Sequence, residues 1–364
     1  MRTLPDALRF GLSATVSAAV RRRFFSCLWE LTYRCNARCA ICSYWRNPSD
    51  PTQELGLDEI AQALVRLHRG GCRMINFTGG EPTLRLDLEE IIRRASQMGF
   101  WTSIVTNGST LTRDRISELK ECGLDNLFMS LDSLDPETHD ARRGIPGLHR
   151  KVVQSLEWLR EDFLTGHRTG GIFCVLTASN TKEIPEMLDI AEEAGVFAIV
   201  QPYHSAKTGE HAHSPLATED LRTLVATLRA RHRCLLSSQG YLDGVCDFLS
   251  KRRLPACNAG TKYFSIDPFG FLHPCVDQPA VGHVLHDDLS VLRTAEIRKM
   301  ASNCDGCWYC FRGEVDTSLT LSGYAGKVAV VCRVLRTNRR RHWRRRFECH
   351  ERAGQRAAKA LPTE

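Results

Sequence analysis

The sequence predicts an α/β protein built on a parallel sheet with helical crossovers. Six short apolar runs alternate with amphipathic stretches through most of the chain. Strand and helix units repeated in series imply parallel strands. Polar or metal-type residues also fall just after four successive apolar runs. In parallel α/β folds, functional groups gather where strands end and loops begin. Spacing alone leaves open whether such a sheet is doubly wound or curled into a barrel.

In chain order, the strand candidates are "FFSCLWEL", "RMINFTG", "WTSIVTN", "NLFMSLD", "GIFCVLT" and "VFAIVQP". Between them lie "LDEIAQALVRLHRGG", "DLEEIIRRASQMG", "TRDRISELKECG", "HRKVVQSLEWLRED" and "KEIPEMLDIAEEAG". Several of these end in Gly, the expected helix stop. After the sixth run, Thr218 followed by Asp220 and apolar i, i+3/i+4 spacing marks one more helix start in "TEDLRTLVATLRARHR". Past this point the pattern changes. Runs shorten, Gly and Pro appear in "DPFGFLHPC", and cysteines cluster again. The expected organisation is an amphipathic helix over 1–24, a core over 25–235, a smaller cysteine-rich module over 236–332 and a basic tail over 333–364.

Composition is that of a globular protein. The 364 residues are 43% hydrophobic and 25% charged, with a formal net charge of +7. Sixteen cysteines is a high count. The chain shows neither a secretory signal nor an apolar run of the ~20 residues needed to cross a bilayer. It therefore reads as cytoplasmic, where clustered cysteines bind metal or do chemistry more often than they form disulfides.

The most informative stretch is "TYRCNARCAICSYW", which places Cys35, Cys39 and Cys42 after the first strand. Cubane iron–sulfur clusters take four thiolates, and structural zinc also takes four protein ligands. Three thiols leave one metal position open to a substrate or cofactor, unless a distant residue completes a zinc site. The spacing C-x3-C-x2-C after a first strand closely resembles the signature of radical S-adenosylmethionine (SAM) enzymes. The resemblance extends over about residues 26 to 205, all six strand–helix units. It implies a partial (β/α)6 TIM-like barrel. It further implies that Cys35, Cys39 and Cys42 hold three irons of a [4Fe–4S] cluster whose fourth iron binds SAM. Reductive cleavage of SAM would then yield a 5′-deoxyadenosyl radical that abstracts hydrogen from a substrate. Ile41 stands where the family usually has an aromatic residue near the adenine. Gly79, Gly80 and Glu81 match the GGE motif that contacts the SAM amino group, a carboxylate suiting an ammonium. Asn107 in "TNG", and Ser130 with Asp132 in "SLDS", fall where relatives bind the ribose and methionyl groups. Arg142 or Arg143 in "DPETHDARRG" would face the SAM carboxylate, or else belong to a solvated helix start.

A second cysteine group begins with Cys257 and Cys275, in the form C-x12-G-x4-C, and continues with Cys304, Cys307 and Cys310. The first part resembles the opening of the auxiliary-cluster extensions called SPASM or twitch, which implies an auxiliary [4Fe–4S] cluster. The later part departs from the full SPASM spacing, leaving a second auxiliary cluster in doubt. The best ligand set is Cys257, Cys275, Cys304 and Cys307, with Cys310 competing. A ferredoxin-like run of Cys304, Cys307 and Cys310, completed by Cys332 or another thiol, is the alternative, and a structural zinc site is another. The remaining cysteines read as small buried hydrophobes.

Leu4, Leu8, Leu12, Val16 and Val20 recur every fourth residue, beside Arg9 and Arg21 to Arg23. This helix either packs across the bottom of the barrel or lies on an anionic membrane surface. The tail "RRRHWRRRF" suits phosphate or anionic lipid, though most such runs are simply solvated. Nucleic acid is the least favoured partner. The chain thus reads as a radical SAM enzyme served by a reductant such as flavodoxin or ferredoxin. Its substrate is a peptide, a lipid or isoprenoid, or a small metabolite. Too little chain precedes the first strand for a separate peptide-recognition domain. The rival is a non-catalytic iron–sulfur electron carrier or a zinc-binding protein.

Overall fold

The computed structural model describes residues 24–318. The N-terminal helix expected over 1–24 therefore falls, Phe24 apart, outside the described residues, as do the tail over 333–364, Cys332 and Cys349. All six expected strands form. They are β1 (Ser26–Thr32), β2 (Met74–Gly79), β3 (Trp101–Thr106), β4 (Asn126–Ser130), β5 (Thr169–Leu176) and β6 (Phe197–Pro202). The helices between them are α1 (Leu57–Arg69), α2 (Leu88–Gln97), α3 (Arg113–Glu121), α4 (Pro136–Arg143), α5 (Leu148–Trp158) and α6 (Ile184–Ala194). α7 (Glu219–Arg231) starts at Thr218, whose side chain accepts from Leu221 N. The remaining helices are α8 (Gln239–Leu249), α9 (Ala295–Ser302) and α10 (Cys310–Ser318).

Strand order settles what spacing left open. The six strands are parallel and lie side by side in chain order. A doubly wound sheet reverses its order at a switch point. Here every crossover steps the same way, and right-handed crossovers then put all the helices on one face. Packing agrees. Ile75 and Phe77 of β2 join Trp29, Ile104, Leu127 and Ile172 in the main core with Ile60, Leu64, Ile91 and Ile92 of α1 and α2. On the opposite face, Phe128 and Phe197 form a separate cluster with Val105, Phe173 and Ile199. Successive strand residues point to opposite faces, so this second cluster marks the inside of a curled sheet.

The barrel stays open. β6 is one end of the six, and its outer side is met by a parallel bridge between Ala198 and Leu235. The free side of β1 pairs in parallel with β7 (Tyr263–Ile266), which continues antiparallel into β8 (Phe271–His273) and β9 (Gly282–His283). The cysteine-rich region thus extends the same sheet, with no break at the boundary expected near 236. Among the described residues, no helix is long and apolar enough to cross a membrane.

Candidate functional site

The loop after β1 carries Cys35, Cys39 and Cys42 to the end of the sheet where the β2, β3 and β4 loops also emerge. Cys39 is buried, and Cys35 and Cys42 are half-buried. Every cysteine among the described residues is free of disulfides. The loop is pinned from below by apolar packing of Ala37, Cys39 and Ile41 against Tyr203, just past β6. It is pinned from the side by backbone bonds: Arg38 N donates to Arg143 O at 3.0 Å, and Ala40 N to Arg142 O at 3.0 Å. Burial pushes the Cys35 thiol up to about 12. Burial likewise raises Cys39, partly opposed by the Arg143 guanidinium. Thiols held this way keep their protons until a metal displaces them.

The two glycines of the GGE stretch are required by close backbone approach. A Cβ on Gly79 would sit 2.2 Å from Thr32 O, and one on Gly80 2.3 Å from Arg34 O. Without side chains, Gly80 N reaches Thr32 O at 2.7 Å and Glu81 N reaches Arg34 O at 2.8 Å. The β2 loop therefore fastens directly to the start of the cysteine loop. Asn107 adds a second tie. Its Nδ2 donates to Asn36 Oδ1 at 2.9 Å, and Asn36 Nδ2 donates to Ser109 Oγ at 2.8 Å.

Both acidic residues of the site have partners within the protein. The Glu81 side chain does not present a free carboxylate. Its Oε1 accepts from Thr83 N, Thr83 Oγ1 and Thr106 Oγ1 at 3.1, 2.5 and 2.6 Å, and its Oε2 from Asn107 N at 2.7 Å. Asp132 is fully buried, accepts from Val175 N at 2.9 Å and pairs with Arg143. Buried carboxylates must be satisfied, and these two are satisfied by knitting adjacent strand ends together. Of the two arginines, Arg143 is the one whose guanidinium reaches the cysteine loop, with Nη1 3.9 Å from Cys39 Sγ. The Arg142 guanidinium turns to Asp132 O and Ser179 Oγ at 3.2 and 2.7 Å. Ser130 is buried at the end of β4.

Pattern reading missed a polar chain on the inner side of this site. Glu30, on the inward face of β1, accepts from the Tyr44 hydroxyl. Lys207, in the loop after β6, donates to Tyr44 OH at 2.8 Å. Its ammonium stands 4.0 Å over the Tyr44 ring and 5.5 Å from that of Tyr309 in the C-terminal region. Burial raises the Glu30 carboxyl, a shift that Lys207 and Tyr44 oppose. The available signal was a lone acid inside the apolar run "FFSCLWEL".

The second cysteine group assembles from three separated segments. Cys257, Cys275 and Cys307 lie within electrostatic reach of one another. Burial, chiefly, raises all three thiols, Cys275 to about 12 and Cys307 to about 11. Arg312, buried, draws Cys257 and Cys307 down. It also donates to Cys307 O, Pro255 O and Cys304 O at 2.8, 3.0 and 3.0 Å, which locks these segments together. Cys310 has further contacts of its own. It opens α10, its N donates to Gln201 Oε1 at 2.9 Å, and its side chain packs against the main core. For one metal ion, the described residues offer a single compact group. A ring nitrogen of His204, a carboxylate oxygen of Asp277 and Cys307 Sγ lie within 4.8 Å of one another.

Both thiol sites fit iron–sulfur chemistry: each gathers free thiols in a partly enclosed place beside a cation, Arg143 at one and Arg312 at the other. Comparison with known proteins points the same way. The model of the radical SAM superfamily matches residues 29–191. A PqqA peptide cyclase of Bradyrhizobium diazoefficiens is 30% identical over 256 residues, 68% of this chain and 65% of that protein. The chain therefore spans just under two thirds of that relative. An AdoMet-dependent heme synthase of Methanosarcina barkeri is 27% identical over 267 residues, 68% of this chain and 75% of that protein. Among solved structures, Streptococcus suis SuiB bound to precursor peptide SuiA aligns with TM-score 0.61 at 16% identity, covering 81% of this chain and 70% of that one. The anSMEcpe structure with bound AdoMet aligns with TM-score 0.60 at 16% identity, covering 90% and 99%. These two likenesses are of fold.

Proposed function

The chain belongs to the radical SAM superfamily, and on that footing we propose that it is a peptide-modifying enzyme with a SAM-binding [4Fe–4S] cluster and one auxiliary cluster. The observation that carries this reading is the loop holding Cys35, Cys39 and Cys42 beside the Gly79–Gly80–Glu81 backbone and Asn107. When bound, cluster and SAM together would supply a 5′-deoxyadenosyl radical able to abstract hydrogen from an unactivated position.

The chain's own residues have separate tasks. Cys35, Cys39 and Cys42 ligate three irons. Arg143 and the backbone bonds from α4 hold the loop in place. The glycines bring bare backbone to where SAM would lie, while Glu81 and Asp132 shape the pocket from behind. Glu30, Tyr44, Lys207 and Tyr309 form the wall between this pocket and the C-terminal region, and are the groups that meet substrate. Residues 25–235 act as the catalytic core and 236–332 as the auxiliary module, with flavodoxin or ferredoxin as reductant. The 30% identity to a peptide cyclase supports the peptide reading. A second reading, a carboxylated tetrapyrrole, is favoured by an Fe-coproporphyrin III synthase of Methanosarcina barkeri, also 30% identical over 256 residues.

Anaerobically reconstituted protein, incubated with SAM and a strong reductant, is expected to release 5′-deoxyadenosine, with none from Cys39→Ala. No release from intact, iron-loaded wild type would sink the enzyme in favour of an electron carrier. Deuterium passing into deoxyadenosine from a labelled peptide pool, and not from labelled iron-coproporphyrin, is the outcome that selects the peptide.

A further inference from the structure

A cubane cluster takes one ligand per iron, and in the C-terminal region Cys257, Cys275 and Cys307 act electrostatically on one another, with Cys304 three residues before Cys307. Cys310 packs against the main core. The question is what occupies the fourth corner.

Two non-thiol donors stand at Cys307, namely His204 and Asp277. They differ in how they are held. Asp277 is exposed. His204 is only 6% exposed and comes from the loop after β6, far from the cysteines in sequence. Its ring stacks on Phe248 at 5.7 Å and lies 4.7 Å from that of Tyr309. Nε2 faces the Gly306 carbonyl, which can only accept, so the proton sits on Nε2. Nδ1 is then a bare lone pair, and it is buried with no hydrogen-bond partner. A histidine that donates one N–H to a backbone carbonyl and keeps the other nitrogen free has the arrangement seen in metal-ligating histidines, because that bond fixes tautomer and ring orientation.

We propose that His204 is the fourth ligand of the auxiliary cluster, completing Cys257, Cys275 and Cys307. This rests on the reading that the C-terminal region holds a cluster. The assignment has a structural consequence. The β6 loop would then touch both iron sites, through His204 at one and through Lys207, over Tyr44 of the cysteine loop, near the other.

The test uses the full chain carrying Cys35→Ala, Cys39→Ala and Cys42→Ala together, so that only the auxiliary site takes up iron and sulfide. Pulsed EPR of the reduced protein is expected to show one strongly coupled nitrogen. In His204→Cys the cluster should remain at about four irons, the nitrogen coupling should vanish, and the midpoint potential should fall, because thiolate replaces neutral imidazole. Asp277→Asn should leave the spectrum unchanged. A cluster without strong nitrogen coupling overturns the assignment of His204 alone. So does a spectrum altered by Asp277→Asn and not by His204→Cys. Absence of any cluster in folded protein overturns the auxiliary-cluster reading along with it. Should the triple variant fail to fold, wild type and His204→Cys are compared directly, with excess SAM perturbing only the signal of the other cluster.

Discussion

The two thiol sites are built in opposite ways. At the first, Cys35, Cys39 and Cys42 share one short loop, and the fold's task is to hold that loop still. Bonds from α4, the bare backbone of Gly79 and Gly80, and the Asn36–Asn107 tie do this. At the second, Cys257, Cys275 and Cys307 arrive from three segments, and Arg312 joins two of them, bonding Pro255 O near Cys257 and the carbonyls of Cys304 and Cys307. The contrast teaches where error enters a reading of spacing. A loop fixes which thiols are neighbours, since few residues separate them. A site assembled across the fold does not.

The largest effects should separate the sites. Cys39→Ala is expected to remove about four irons, leaving the auxiliary site filled, and Cys275→Ala to remove about four irons from the auxiliary site alone. Iron analysis after reconstitution decides this. If either change empties both sites, they are not independent. Gly80→Ala should come next. Its Cβ would lie 2.3 Å from Arg34 O, so the β2 loop and the cysteine loop must part. A stability loss of about 1–3 kcal/mol should accompany a steep fall in deoxyadenosine formation. Unchanged activity and melting temperature would mean that this contact does not hold the site.

A pH effect should be read at the first site. His139, buried beside the Asp132–Arg143 pair, has its pKa pushed down to about 3, by burial first and by Arg143 second. Its Nδ1 accepts from Asp132 N at 3.3 Å. In the unfolded chain a histidine titrates near 6.5, so between about 6.5 and 3 the unfolded state binds the extra proton. Stability should therefore fall as pH drops below about 6.5, by about 2 kcal/mol at pH 5 from this residue alone. Urea melts of wild type and His139→Gln should show the slope shallower in the variant. Equal slopes would remove His139 as the source.

The smallest effect concerns Cys304. Spacing includes it in the auxiliary ligand set, whereas a set of Cys257, Cys275, Cys307 and His204 does without it. Cys304→Ala is expected to leave iron content and the auxiliary EPR signal unchanged, and loss of that cluster would restore the four-thiol set.

Much of this molecule was legible before any coordinates. All six strands formed where apolar runs stood, and Thr218 capped its helix as the side-chain pattern required. The cysteine loop, the glycines and Asn107 were also legible, because each is a local device set by a few consecutive residues. Glu81 and Asp132 were recognised as site residues, but their partners were not. Thr83, two residues along, is a local partner of Glu81, but Thr106 and Asn107 for the one, and Val175 and Arg143 for the other, depend on how neighbouring strands are laid side by side.

The sequence by itself determined the alternation of strand and helix, the triple-cysteine loop and the bare backbone beside it, because periodicity and short spacing are properties of consecutive residues. Tertiary structure decided the rest. Strand order chose a curled, singly wound sheet over a doubly wound one. Long-range packing carried Glu30, Tyr44 and Lys207 into one polar chain and brought His204 to Cys307, about a hundred residues along the chain. Such meetings arise from which faces are buried against which, and no local pattern along the chain records them.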